Sequence, residues 1–126
     1  MDELDDRRRW ERHASDVDGT FRSEDGVSGL VMIGDISRFG LGCSLNRPVT
    51  VGERLVFDLH IPGSTAPAEA VGRVVWTGTH APDWTYDYDA GVRIEAMETW
   101  DRARALEHAY RLGERTEREP GRVLAR

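Results

Sequence analysis

Residues 34–42 combine an acid, a hydroxyl and several glycines directly after an apolar run. The segment reads GDISRFGLG and follows the run LVMI at residues 30–33. A buried strand has no packing use for these residue types, whereas a loop that contacts a ligand uses all of them. Asp35 and Ser37 supply hydrogen-bonding groups, and Gly40 permits close approach of the backbone. The segment predicts a binding loop at a strand end; a polar turn that caps its own backbone is the alternative.

A cluster of arginines precedes this loop in the sequence. Residues 7–12 read RRRWER, in which Arg8 and Arg12 form an R-x-x-x-R pattern. A guanidinium can bind phosphate oxygens or the O6/N7 edge of guanine with two parallel hydrogen bonds, and its plane can stack on a base. The chain contains no lysine and repeats this spacing near its carboxyl end, at 111/115, 118/122 and 122/126. The arginine pattern is therefore informative only in combination with the loop.

The R-x-x-x-R pattern followed by Asp35-x-Ser37-x-x-Gly40 at the end of an apolar strand resembles the PilZ domain family. This family binds the bacterial second messenger cyclic di-GMP. The resemblance spans about residues 7–110 and implies that Arg8 and Arg12 hold phosphate and guanine, that Asp35 accepts hydrogen bonds from a guanine, that Ser37 hydrogen-bonds nearby, and that Gly40 lets the backbone pass beneath the ligand. Further candidate ligand residues are Arg7, Arg9, Trp10 and Arg38.

The fold class predicted from the strand pattern is mainly β. Short runs with turn signals between them indicate six strands and a small closed antiparallel barrel. The predicted strands are residues 17–22, 28–36, 41–45, 54–61, 68–77 and 90–96. Gly72 within the fifth run predicts a bulge or bend. The resemblance likewise implies a six-stranded PilZ-like barrel with a carboxy-terminal helix.

The predicted organisation is an arm at residues 1–13, a barrel at 14–97, a helix at 98–113 and a charged tail at 114–126. Thr99 is the expected N-cap and Gly113 the expected helix end, although the charged residues after Gly113 could extend the helix. The apolar stripe expected to face the barrel consists of Trp100, Ala103, Leu106 and Tyr110. The tip at residues 78–89 carries Trp84 among acids, and either folds back on the barrel or contacts a protein.

Composition excludes several classes of protein. The chain has 126 residues and a net charge of −6, which disfavours a nucleic acid polymer as partner. No run is long enough for a membrane span and no secretory signal is evident, so a cytoplasmic protein is expected. The single cysteine, Cys43, is expected to be a buried thiol. We find no metal-ligand spacing, cofactor motif or paired acid and base, which argues against an enzyme.

The function expected from these features is that of a cyclic di-GMP receptor. An arginine arm and a fixed loop would close around the ligand, and the change would be read by a separate effector protein. The main alternative is a PilZ-like adaptor that binds no nucleotide and acts through protein contacts. An RNA-binding barrel is disfavoured because no predicted strand shows exposed aromatics interleaved with basic residues. Ligand stoichiometry, the choice between monomer and dimer, and the effector's identity stay open.

Overall fold

A computed structural model describes residues 13–79 and 86–118 of the chain, with side chains described for residues 14–79 and 86–113. The described part contains short antiparallel strands followed by one long helix. The strands are β1 His13–Ala14, β2 Asp18–Ser23, β3 Ser28–Ile36, β4 Gly40–Leu45, β5 Arg54–His60, β6 Ala68–Thr79 and β7 Tyr88–Met97, and the helix is α1 Thr99–Arg118.

Six of these strands close into a barrel. Hydrogen-bonded neighbours follow the order β3-β2-β5-β6-β7-β4, and β4 pairs again with β3, all in antiparallel fashion. Closure leaves no unpaired edge in this sheet. The predicted six-stranded antiparallel barrel with a carboxy-terminal helix is confirmed. The short strand β1 was not predicted. It pairs with the end of β3, at Asp35 and Ile36.

Alternation of apolar and polar residues places the barrel core. In β5, Leu55, Phe57 and Leu59 are buried, while Arg54 and His60 are exposed. The same two-residue period operates in the other strands, since successive side chains of a strand point to opposite faces. Cys43 is buried in this core, as predicted. The result is one continuous apolar interior with an outer surface that is largely polar.

Three of the barrel strands contain bulges. In β3 the register shifts between Ile33 and Asp35, so that Gly34 is an extra residue opposite β4. Between β6 and β7 the register shifts twice: opposite the predicted bend at Gly72 the extra residue is Glu95 of β7, and between Val74 and Trp76 it is Val75 of β6. A bulge reverses the direction of the side chains that follow it. The two outer-face side chains redirected in this way, Asp35 and Trp76, become central to the site below.

The face that the helix presents to the barrel differs from the prediction. Ala105 and Ala109 are buried against the core, whereas Trp100 and Tyr110 have exposed fractions of 68% and 56%. The predicted apolar stripe was therefore wrong by roughly one residue, or about 100° around the axis, except at Leu106, which is partly buried and packs against the core as predicted. α1 packs against β1 and β3, and the small alanine side chains permit a close approach that aromatic rings would prevent.

The ends of the helix and of the last hairpin also differ from expectation. The cap is Glu98 and not Thr99, because the Glu98 side chain accepts the N–H of Asp101 at 3.2 Å. The helix continues past Gly113 to Arg118. Strands β6 and β7 extend farther than predicted, which shortens their connection to residues 80–87. Trp84, for which both folding back on the barrel and contact with a protein were considered, lies outside the described residues. Within the described part of the chain, no helix is long and apolar enough to span a membrane.

Candidate functional site

Asp35 lies on the outer face of the barrel because of the bulge in β3. Val31 and Ile33 point into the core, and strict alternation would send Asp35 there too. The extra residue Gly34 instead turns Asp35 outward, where its carboxylate lies over Gly42 of β4. A Cβ at Gly42 would meet the Asp35 carboxylate oxygens at 2.6 and 2.7 Å. The absence of a side chain at Gly42 therefore makes room for the acid.

The residues after Asp35 form a tight, internally bonded turn. Ser37 is fully buried, its N–H donates to the Gly40 carbonyl at 2.9 Å, and its hydroxyl oxygen accepts the Gly40 N–H at 3.1 Å. The carbonyl of Phe39 accepts the Ile94 N–H at 2.8 Å, which anchors the turn to β7. Ser37 therefore stabilises the turn through its hydrogen bonds with Gly40. Its contact with a ligand stays a prediction.

Arg38 projects from the tip of this turn. It is exposed, and its guanidinium carbon lies 5.6 Å from the centre of the Phe39 ring. That distance is within the range of a cation–π interaction. Arg38 thus places a positive charge on the same loop as Asp35, and its contact with a ligand stays a prediction.

Trp76 is a site residue that the sequence analysis did not identify. The bulge before it turns the indole to the outer face, where its five-membered ring covers Gly91 of β7. A Cβ at Gly91 would collide with Nε1 of this indole. Half of Trp76 stays exposed, at 49%. Glycine here allows a flat aromatic surface to lie against the strand.

These residues form one row across four strands. Trp76 pairs with Gly91, Gly91 with Gly42, and Gly42 with Asp35. The aromatic ring and the carboxylate therefore stand at the two ends of a floor made of glycine backbone, and we call this row the glycine platform. A pocket of about 170 Å³ lies on it, lined by Gly34, Asp35, Gly42, Cys43, Ser44, Trp76 and Asp89.

One flank of the glycine platform is acidic and internally bonded. Asp89 accepts a hydrogen bond from the Ser44 hydroxyl at 2.9 Å. The pKa of the Cys43 thiol is raised to about 12, first by burial and then by the negative charges of Asp89 and Asp35. Cys43 is therefore a neutral thiol at physiological pH and contributes no nucleophile to the pocket.

A larger pocket, of about 250 Å³, lies between α1 and the segment 61–63. Its cationic side chains already have partners. Arg104 donates to the Gly63 carbonyl at 3.3 Å, and Arg111 lies 2.6 Å from Glu107. His108 lies 2.7 Å from an Asp16 oxygen. The side chains that line this pocket thus serve largely to hold the helix against the barrel. The volume of the pocket alone does not make it the ligand-binding site.

The arginine cluster of the sequence falls outside the described residues. This applies to the predicted ligand residues Arg7, Arg8, Arg9, Trp10 and Arg12. The described chain starts at His13, which follows Arg12 in the sequence and pairs with Ile36, while Ala14 pairs with Asp35. Strand β1 therefore enters the barrel directly beside the binding loop.

Comparison with known protein families gives one match. Residues 6–111 of the chain match the model of the PilZ domain. The chain belongs to the PilZ family. A comparison with curated protein sequences yields no significant match.

Solved structures share the fold of this PilZ barrel. Bacillus subtilis MotI (DgrA), an inhibitor of motility, superposes with a TM-score of 0.68 at 17% identity, covering 89% of this chain and 54% of MotI. The PilZ domain with c-di-GMP of Escherichia coli YcgR gives 0.65 at 14%, covering 88% and 95%. K. pneumonia MrkH gives 0.62 at 18%, covering 89% and 51%. The chain thus spans about half the length of MotI and MrkH, and likeness at these identities establishes the fold alone.

Two sequence signals could have identified Trp76 in this PilZ barrel. The run Val74-Val75-Trp76 breaks the alternation expected of a strand, and isolated glycines in strands mark places where another group approaches the backbone. Gly91 is such a residue. Strand β6 exposes one aromatic residue, Trp76, three residues after Arg73, which is not the interleaving of aromatic and basic residues considered for RNA binding. The missing information was which strands are neighbours.

Proposed function

We propose that this protein is a receptor for cyclic di-GMP that uses the glycine platform and the arginine segment as its binding site. The observation that carries the proposal is the row from Trp76 across Gly91 and Gly42 to Asp35. It combines a stacking surface, a close-approach floor and a carboxylate in one pocket. Family membership and the structure of the YcgR PilZ domain with c-di-GMP support the same ligand.

Guanine recognition follows from the chemistry of the two ends of the platform. The Watson–Crick edge of guanine carries N1–H and N2–H₂ donors, which an ionised carboxylate accepts as a pair. Asp35 supplies that carboxylate. The exposed indole of Trp76 offers a flat surface on which a base stacks, an interaction worth about 1–3 kcal/mol per base. The carboxylate therefore favours guanine, whose N1 carries a hydrogen-bond donor, over adenine, whose N1 is an acceptor.

Phosphate recognition is assigned to Arg8 and Arg12, with Arg7, Arg9, Trp10 and Arg38 as supporting residues. Strand β1 begins at His13, immediately after Arg12, and its Ala14 pairs with Asp35. The described chain therefore begins beside the platform, one residue after Arg12. Guanidinium groups from this segment and from Arg38 would bind the ligand phosphates as charge-assisted pairs.

The signal would be passed on through β1, the strand that follows the arm in the sequence and contacts the helix. α1 packs against β1 and β3, the two strands that meet at Asp35. A ligand that orders the arginine segment changes the environment of β1, and a separate effector protein would read the altered surface. The energy available for this step is the difference in ligand affinity between the two states. No catalytic step is part of the proposal.

A second candidate is an adaptor that binds another protein without nucleotide. The observation that favours it is the exposure of Trp100 and Tyr110 on one side of α1. Large exposed aromatics are enriched at protein interfaces. The intact platform beside Asp35 favours the receptor over this alternative.

The proposal is tested by isothermal titration of the purified chain with cyclic di-GMP, with cyclic di-AMP and GMP as controls. We expect saturable binding of cyclic di-GMP and at least tenfold weaker binding of both controls. Arg8→Ala and Arg12→Ala should each weaken binding by about tenfold or more, because each removes a charge-assisted phosphate contact. The titration also gives the stoichiometry. A folded chain that shows no heat and no ligand-dependent change in Tm would contradict the receptor and leave the adaptor.

A further inference from the structure

An arginine on the barrel itself flanks the glycine platform on the side away from Asp89. Arg54, Arg73 and Arg93 are paired across β5, β6 and β7, and Arg93 in turn faces Gly40 of β4. This arginine row is two residues from the row that contains Gly91 and Gly42, or about 6.6 Å along the strands. Because the strand period is two, Arg93 lies on the same outer face as Gly91.

Of the three arginines in this row, Arg93 has the weakest contacts with its neighbours. Arg73 donates two hydrogen bonds to Glu95, at 3.0 and 3.5 Å, and a third to the Gly52 carbonyl. Arg93 lies 3.9 Å from Glu95 and its side chain is 58% exposed. Three arginines share this one carboxylate, which leaves an excess of two positive charges in the row.

The platform is therefore flanked by opposite charges. Arg93 stands on the side of the turn at 37–40, and Asp89 stands on the side of Ser44. A ligand with anionic groups lowers its energy by turning them toward Arg93 and away from Asp89. The charge difference between the two flanks selects one orientation of a bound dinucleotide.

We propose that Arg93 is a ligand-binding residue that holds a phosphate of the dinucleotide and sets its orientation on the platform. This inference rests on the proposed function, since it assigns a partner to the same site. With this assignment, a residue of a barrel strand contacts phosphate. The sequence had predicted such contacts only for the amino-terminal arginines and Arg38. The bound phosphate is held from the barrel as well as from the arm.

The test is titration of Arg93→Ala with cyclic di-GMP, beside the parent and the control Arg54→Ala. Arg54 has the same charge and the same partner Glu95, at 3.7 Å, but it lies on β5, outside the platform, two strands or about 10 Å from Arg93. We expect Arg93→Ala to weaken binding about tenfold and Arg54→Ala to change it less than about twofold. Equal effects of the two variants would overturn the proposal, because they would show a general field and no contact.

A conservative variant separates phosphate from guanine as the partner of Arg93. A phosphate accepts the point charge of lysine, whereas the two-acceptor edge of guanine requires the arginine fork. Arg93→Lys should therefore recover most of the affinity lost in Arg93→Ala, and the loss should shrink at high salt. No recovery by lysine would overturn the phosphate assignment. If the parent itself fails to bind cyclic di-GMP, the receptor function fails, which is a different result from a binding parent with an unaffected Arg93→Ala.

Discussion

The outer surface of the barrel has two faces that differ in how their polar side chains are used. On β2, β5 and β6, Arg22 lies 3.4 Å from Asp58 and 3.8 Å from Glu69, and His60 lies 3.6 Å from Asp18. These polar side chains contact one another across the strands β2, β5 and β6. On β3, β4, β6 and β7, the platform has glycine at its two central positions, and its polar and aromatic groups line a common pocket.

The difference shows how a barrel of this size makes a binding face. Exposed cross-strand ion pairs contribute about 0–1 kcal/mol each, and their polar groups already have partners on the barrel. The absence of side chains at Gly42 and Gly91 leaves backbone on which a carboxylate and an indole lie, and these are the two groups that we propose contact a base. The binding face is thus defined as much by missing side chains as by the groups that remain.

The largest effect is expected at the acidic end of the platform. Asp35→Ala should weaken cyclic di-GMP binding at least roughly thirtyfold, because it removes a carboxylate that accepts two hydrogen bonds from guanine, and hydrogen bonds to a charged group are worth about 1.5–3 kcal/mol each. The matched control is Asp58→Ala on the ion-paired face, which should bind like the parent. Isothermal titration measures both. Similar losses in the two variants would show that the faces do not differ in function.

The aromatic end should have the next largest effect. Trp76→Ala should weaken binding by about 1–3 kcal/mol, or roughly 5- to 150-fold, because a base loses its stacking surface. Trp76→Phe should keep part of the affinity. The control is Trp100→Ala, which removes an exposed indole from the helix. Quenching of tryptophan fluorescence on ligand addition should persist in Trp100→Ala and decrease in Trp76→Ala; the reverse pattern would place the base elsewhere.

The floor should tolerate no side chain beneath the indole. Gly91→Ala should displace Trp76 and weaken binding about tenfold, near the middle of the range for loss of stacking. Gly78→Ala is the matched control, since its Cβ would meet the Trp76 ring only at an ordinary 3.8 Å. Titration of both variants, with Tm as a check on folding, tests the role of the missing side chain. Unchanged binding by a folded Gly91→Ala would contradict it.

The smallest effect concerns the arginine row beside the platform. The pKa of the Glu95 carboxyl is lowered, first by its hydrogen bond from Arg73 and then by the charges of Arg73, Arg54 and Arg93. A lowered folded-state pKa adds stability above the ordinary glutamate pKa of about 4.3, and this stability is lost as the pH falls through the folded value. The Tm difference between the parent and Glu95→Gln should therefore be small at pH 7 and shrink below about pH 4. If the Tm difference between the parent and Glu95→Gln persists at acid pH, the arginine row does not stabilise the protein through the charge of Glu95.

Much of the fold was predictable because it depends on local periodicity. The second predicted strand, residues 28–36, matches β3 at both ends, and the buried alternation of Leu55, Phe57 and Leu59 was read directly from β5. The helix was located correctly but its buried face was not. Hydrophobicity favoured Trp100 and Tyr110, whereas the close approach of α1 to β1 and β3 selected alanines.

The sequence by itself determined the strands, the barrel class and the loop with Asp35, Ser37 and Gly40, because these follow from side-chain periodicity and from residue types that suit turns. Only the tertiary structure decided that Trp76 and Asp35 share a pocket. These residues are far apart in the chain, and two bulges turn them to the same outer face. Register across four strands is a property of the closed sheet, since each pairing depends on the one beside it.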